Sequence, residues 1–259
     1  TTVALIGPDG AGKSSVIPLV EAGLGRPVKR IYMGVNLEAS RLMLPTTRLA
    51  LEAKRRRGGR PDMVGATGRS GSAGEDAQGS TRTATSRGVL RQARSGLRLA
   101  NWIAEEWFRQ GVAWVHERRG AVVLFDRHFF CDYYANDILG RRPGRPWTSR
   151  LHGAMLERLY PRPDLVILLD APAQVLFDRK GEGTVESLER NRQDYLALAD
   201  EVARFRVVDA TQPVAAVVSD VIDAIRALLD ERAATPASDG QAAAEAGAES
   251  ASTVRSDAA

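Results

Sequence analysis

Gly7-Pro-Asp-Gly-Ala-Gly-Lys-Ser-Ser15 has the spacing of a glycine, four residues and then Gly-Lys-Ser, the pattern of a loop that wraps a phosphate in backbone N–H groups. Gly7, Gly10 and Gly12 can take positive φ, which turns those groups inward, with Ala11 completing the loop between them. Lys13 adds a point charge for the β- and γ-phosphates, and the Ser14 hydroxyl is a Mg²⁺ ligand, followed by Ser15. Val3-Ala-Leu-Ile6 ahead of the loop reads as a buried strand, and Ser14 to Ala22 behind it reads as a helix whose N-terminus faces the anion. The competing reading is a glycine-rich turn with no ligand. Strand before and helix after favour a nucleotide site.

Outward from that loop, strands alternate with helices. Pro27-Val-Lys-Arg-Ile-Tyr-Met33 is a second strand, and Ala121-Val-Val-Leu-Phe125, Leu165-Val-Ile-Leu-Leu169 and Phe205-Arg-Val-Val208 are three more. Continuous apolar runs of this kind suit a parallel sheet covered on both faces, so the chain is read as α/β with five parallel strands flanked by helices. Leu97, Ala100, Ile103, Ala104, Trp107, Phe108, Val112 and Val115 recur at helical spacing in a long helix from Val89 to Arg119. Val214, Val217, Val218, Val221, Ile222, Ile225, Leu228 and Leu229 give the closing helix a one-sided stripe. Trp102, Trp107 and Trp114 are read as packing residues, with base stacking an alternative for Trp102 only.

The chain has 259 residues and a net charge of +4, distributed unevenly. Residues 37–100 carry 13 Lys or Arg against 5 Asp or Glu, and residues 230–259 carry 2 against 6. The span 37–57 has helical character, whereas 58–88 lacks apolar periodicity and is expected to be a mobile basic insertion. A solvated segment is the favoured reading of that insertion, and a polyanion-binding arm is the alternative. The domain is taken as residues 1–232, with a disordered acidic tail over 233–259. With no long apolar run and no leader pattern, a soluble cytoplasmic protein is expected. One cysteine, Cys131, excludes an internal disulfide framework, and the three histidines form no metal constellation. His128 is expected to shape a pocket rather than act as a base.

Asp126-Arg127-His128, delivered to the end of an apolar strand, together with the phosphate loop, Arg179-Lys-Gly-Glu-Gly183 with Tyr195 downstream, and Val207-Val-Asp-Ala-Thr-Gln-Pro213, resembles the thymidylate kinase family of P-loop nucleotide kinases. The resemblance covers residues 1–36 and 97–230. It implies a P-loop NTPase fold with a helical lid over 176–195, and ATP and Mg²⁺ as cofactors. Asp9 matches the loop carboxylate that contacts the acceptor's sugar. Asp126 and Arg127 match the pair that organises Mg²⁺ and holds the acceptor phosphate. Arg179 and Lys180, with Arg190 and Arg192 behind them, fall in the lid, from which members with glycine at the position of Gly10 draw their catalytic arginine. Asp209 and Thr211 match the loop near adenine, and Asn136 and Tyr195 match acceptor-side positions. Read as residues alone, Asp170 and Asp209 are more simply helix caps.

The departures from the family fall on the acceptor side. Where an Arg-Glu-Pro type segment usually follows the second strand, this chain reads Met33-Gly-Val-Asn36. Where the third helix usually offers a phenylalanine and an arginine to the thymine ring, it carries Asn101, Trp102, Ala104 and Glu105. Cys131 and Ala135-Asn136 stand for the usual serine and Tyr-Gln. The resemblance thus implies phosphoryl transfer to a small nucleotide acceptor, dTMP by default. No membrane span or nucleic-acid partner is expected, and a homodimer is left open. Two alternatives stay open: a kinase of another small metabolite, and a non-catalytic ATP-binding module.

Overall fold

The structure, a computed structural model, describes residues 1–34, 42–56, 84–133 and 147–234. Its centre is β1 (Thr2–Ile6), buried along its whole length because every position but Thr2 is apolar. The loop after β1 leads into α1 (Lys13–Gly23), and β2 (Val28–Tyr32) follows. After α2 (Pro45–Arg56) and α3 (Ala84–Arg118) come β3 (Val122–Asp126), α4 (Phe129–Tyr133) and α5 (Trp147–Arg158). The remaining elements are β4 (Leu165–Asp170), α6 (Ala173–Lys180), α7 (Val185–Leu196), β5 (Phe205–Asp209) and α8 (Val214–Ala234).

All five strands are parallel, in the order β2-β3-β1-β4-β5. β2 and β3 lie on one side of β1, with β3 inserted between β1 and the edge strand β2, and β4 and β5 lie on the other, so the sheet has its switch point beside the C-terminal end of β1. Crevices at such points are where open α/β sheets take ligands. The register pairs Leu5 of β1 and Tyr32 of β2 with Asp126, which brings the phosphate loop and the Asp-Arg pair to one edge. The expected α/β architecture and its five parallel strands are borne out. β5 is the outer strand, so Val207, which reads as apolar core in sequence, is 45% exposed.

The chain divides into two compact units, Thr1–Ile222 and Asp223–Ala259. In the first, a core of Ile6, Ile31, Val123, Phe125, Phe130 and Leu168 is sealed by Trp102 and Trp107 of α3. Trp102 stands edge-on to Phe129 and His152, with ring centroids 6.4 and 6.1 Å away, which is a packing role. The long helix starts at Ala84 rather than Val89, so residues 84–88 of the expected insertion are helical. Once nucleated, a helix extends through such residues at little cost. The rest of that insertion, 58–83, and residues 235–259 of the expected tail lie outside the described residues. No described helix is long and apolar enough to cross a membrane.

Candidate active site

A cavity of about 720 Å³ opens at the C-terminal edge of the sheet. Asp9 to Val16, Arg30, Tyr32, Asp126, Arg127, Arg179 and Lys180 line it, and Ala210 and Gln212 close the far side. The loop's glycines are there for space as well as for φ. Gly7 has φ 147°, and a Cβ on it would lie 2.6 Å from the Leu169 carbonyl oxygen. Gly10 has φ 90°, and its Cβ would lie 2.6 Å from the Leu176 carbonyl oxygen. No other residue fits either position without moving β4 or α6.

Lys13 Nζ donates to the carbonyl oxygens of Gly7 and Pro8, the latter at 2.9 Å. Burial lowers its pKa to about 8, an effect that Arg127 adds to and that Asp9, Asp132 and Asp126 oppose. Arg127 has φ 68°, a left-handed conformation that a side chain adopts at a cost. In that conformation its guanidinium lies 2.9 Å from Asp9. Burial alone would disfavour the cation, but Asp132, Tyr195 and Asp9 outweigh this and raise its pKa, so Arg127 is a permanent charge. Lys180 approaches the same Asp9 oxygen at 3.6 Å and Glu182 at 3.0 Å. Asp9, Arg127 and Lys180 therefore meet across the cavity although they are far apart in sequence.

Arg179 turns the other way and donates to the Ala210 carbonyl at 2.9 Å, which ties α6 to the loop after β5. In that loop Asp209 Oδ1 accepts from the Thr211 backbone N–H at 2.8 Å and its hydroxyl at 2.6 Å. These hydrogen bonds, the side-chain one foremost, hold the carboxyl below its usual range. Asp209 and Thr211 shape the turn, while their neighbours Ala210 and Gln212 face the cavity. Asp170 does not cap α6, whose N-cap is Pro172; it forms a two-pronged pair with Arg192 at 2.7 and 2.9 Å. That pair pins α7 to the end of β4 and engages Arg192. Among the described residues Arg190 donates to its own helix, at Glu186 O.

Tyr195 is buried and donates to Asp132 at 2.9 Å, so it stands behind Arg127 rather than on the cavity wall. Asn136 lies outside the described residues. His128 is fully enclosed, its ring 5.0 Å from Phe125 and 5.6 Å from Tyr160. Burial lowers its pKa to about 3, so it is neutral and acts as packing.

Two cations escape a motif reading. Arg30, in β2, lies 2.6 Å from Asp126, and Arg109, in α3, is buried against Glu105. For Arg30 the available signal was a charged residue inside a strand. For Arg109 there was an arginine among core-facing helix positions.

Mg²⁺ takes hard oxygen ligands and sits on one or two protein groups plus substrate phosphates. Ser14 and Asp126 both line the cavity and supply a hydroxyl and a carboxylate. Among the described residues no group of three or more His, Cys, Asp or Glu could hold a metal by itself. The donor set therefore fits a cation that arrives with a nucleotide.

A glycine cradle at the switch point of a parallel sheet, faced by cations from α6, defines a P-loop α/β protein. No protein-family model matches the chain. Among the curated proteins similar to it are two probable thymidylate kinases. Probable thymidylate kinase 1 of Saccharolobus solfataricus is 32% identical over 108 residues, 39% of this chain and 53% of that protein. Probable thymidylate kinase of Metallosphaera sedula is 28% identical over 126 residues, 46% of this chain and 60% of that protein. The chain thus spans between half and two thirds of the curated relatives it matches. These matches bear out the resemblance to the thymidylate kinase family, as a distant relative.

Proposed function

We propose that the chain is an ATP- and Mg²⁺-dependent kinase that phosphorylates a nucleoside monophosphate, with dTMP the first acceptor to test. The observation that carries this reading is the convergence of Lys13, Arg127 and Lys180 on one cavity beside the phosphate loop. In the reaction the bond between the γ-phosphorus and its bridging oxygen breaks. A new bond forms from that phosphorus to an oxygen of the acceptor phosphate, giving ADP and the diphosphate. Such transfers depend on positioning and charge neutralisation rather than covalent catalysis. Ser14 and Asp126 would hold Mg²⁺, which would supply neutralisation of phosphate charge. The loop N–H groups and Lys13 hold the donor's β- and γ-phosphates, Arg127 holds the acceptor's phosphate, and Asp9 orients Arg127 and reaches the acceptor's sugar. Lys180 and Arg179 bring positive charge from the lid.

The test is ATP consumption across nucleoside monophosphates, their deoxy forms and sugar phosphates. Turnover with at least one monophosphate is expected. Turnover with sugar phosphates alone would shift the reading to another metabolite kinase, and no turnover with any acceptor would leave a binding module.

Lys13 also predicts a pH dependence. Bound phosphates favour the ammonium, so its pKa rises on binding from about 8 in the free protein. Binding then takes up a proton above that pH, and ATP affinity falls by about tenfold per pH unit above 8 while staying flat in this respect below 7. Calorimetric Kd values from pH 7 to 9.5 check this. Lys13→Arg, whose charge does not titrate in that range, should abolish the slope.

A further inference from the structure

A polar group left buried without a hydrogen-bond partner is costly, so each instance asks for an explanation. Glu106 Oε2, Gln110 Oε1, His128 Nδ1 and the Tyr160 hydroxyl oxygen are buried and lack such a partner among the described residues. They come from separate parts of the chain, yet they lie together. Glu106 and Gln110 are one turn apart on the same face of α3. The ring of Tyr160, just beyond α5, stands 5.6 Å from that of His128 and 5.8 Å from that of Trp107, which lies between Glu106 and Gln110 in sequence. Burial, and after it the Glu106 carboxylate, raises the pKa of the Tyr160 hydroxyl, which puts those two groups near each other. Phe125, 5.0 Å from His128, and Phe129, 6.1 Å from Tyr160, supply apolar walls.

We propose that these four atoms hold one buried water molecule, which ties α3 to the turn that carries Arg127. A buried water needs a polar site with two to four partners, and these atoms provide them. Donors and acceptors also balance. Tyr160 donates through its O–H, and His128 donates in the tautomer with its proton on Nδ1, while Glu106 Oε2 and Gln110 Oε1 accept. A water accepts two hydrogen bonds and donates two, so all four atoms are satisfied at once. Neighbouring groups are already engaged: Glu106 Oε1 accepts from Trp102 Nε1 and pairs with His152 Nε2 at 2.8 Å. Arg109, on the next part of the same helix, is bonded to Glu105 and to the Tyr32 and Gly34 carbonyls.

The place of this water beside His128 bears on the site. Arg127 holds a left-handed φ of 68°, a strained conformation that persists only where the surroundings fix it. Its own N–H reaches the Leu5 carbonyl oxygen at a long 3.3 Å. His128 follows directly, and its carbonyl accepts from the Asp132 N–H at 2.9 Å as α4 begins. With the imidazole held through the water as well, the turn is fixed by backbone and side chain together, and the Arg127 guanidinium is aimed into the cavity. Glu106, Gln110 and Tyr160 are then positioning residues for Arg127 and touch no substrate. The water site stands on its own geometry, and its effect on the acceptor rests on the kinase reading above.

A high-resolution crystal structure of the full chain tests the site, and kinetics with ATP, Mg²⁺ and dTMP test its effect. The crystal structure should show one water within about 3.2 Å of at least three of the four atoms. A direct bond from Tyr160 to Glu106 with no water between them, or a metal ion in that place, would overturn the proposal. Tyr160→Phe removes one donor and little volume. It should lower the melting temperature by about 2–4 °C and raise the dTMP KM by about fivefold or more, with the ATP KM within about twofold of the parent. Val221→Ala, which opens a hole in the buried face of α8, should lower the melting temperature at least as much and leave both KM values within about twofold. An unchanged dTMP KM in Tyr160→Phe would overturn the positioning role. Should the parent turn over no monophosphate, the kinase reading falls, and the crystal structure still decides the water site.

Discussion

Lys13→Ala is expected to lower turnover by on the order of 10³ or more, the range for removing a key cation from a phosphoryl-transfer site. The ammonium lies in the loop, donating to Gly7 O and Pro8 O, and burial lowers its pKa to about 8. A cation held against its own desolvation does little for folding, so the same variant should melt within about 4 °C of the parent. That combination distinguishes a catalytic charge from a structural one. Single-turnover phosphorylation and a thermal melt measure the two halves. Turnover within about tenfold of the parent would remove the kinase reading.

Arg179→Ala with Lys180→Ala is the second large effect. If the two cations meet the migrating phosphoryl group as α6 and α7 close, their contact is stronger in the transition state than in the ground state. The double variant should then lose on the order of 10² or more in kcat while ATP affinity changes little. Their present partners differ: Lys180 is 3.6 Å from Asp9, beside the Arg127 cation, whereas Arg179 is bonded to Ala210 O on the far side. Lys180 should therefore carry the larger share of the loss in the single variants. Weakened ATP binding with an unchanged rate in the bound complex would make this end of α6 a ground-state clasp. The catalytic cation would then be sought at Arg190, since Arg192 is bonded to Asp170.

Much of the phosphate loop was legible in the order of residues because its geometry is local. Gly7 to Gly12 form one loop that runs straight into α1, and its glycines, with Lys13 and Ser14 at the start of the helix, act through their own backbone and neighbours. The apolar runs Ala121–Phe125 and Leu165–Leu169 carried their strand identity in composition alone. Asp126 and Arg127 follow directly on such a run, so their place at the ligand edge could be read as well.

Asp170 shows where local reading fails. An aspartate before a helix is a good cap candidate, yet it bonds Arg192, 22 residues on, because the fold brings α7 back over the end of β4. Tyr195 lies downstream of Arg179 and Lys180 in sequence, but its hydroxyl goes to Asp132 in the interior.

The sequence by itself determined the phosphate loop, the five-stranded parallel sheet and the segregation of charge, since each rests on spacing or composition within a short window. Only the tertiary structure decided which charges share the cavity. Arg127 meets Asp9 across 118 positions, Arg30 meets Asp126 across 96, and Arg109 reaches Tyr32 across 77. Ion pairing depends on the distance between side chains in space, and that distance is set by strand order and register, which no local window of residues encodes.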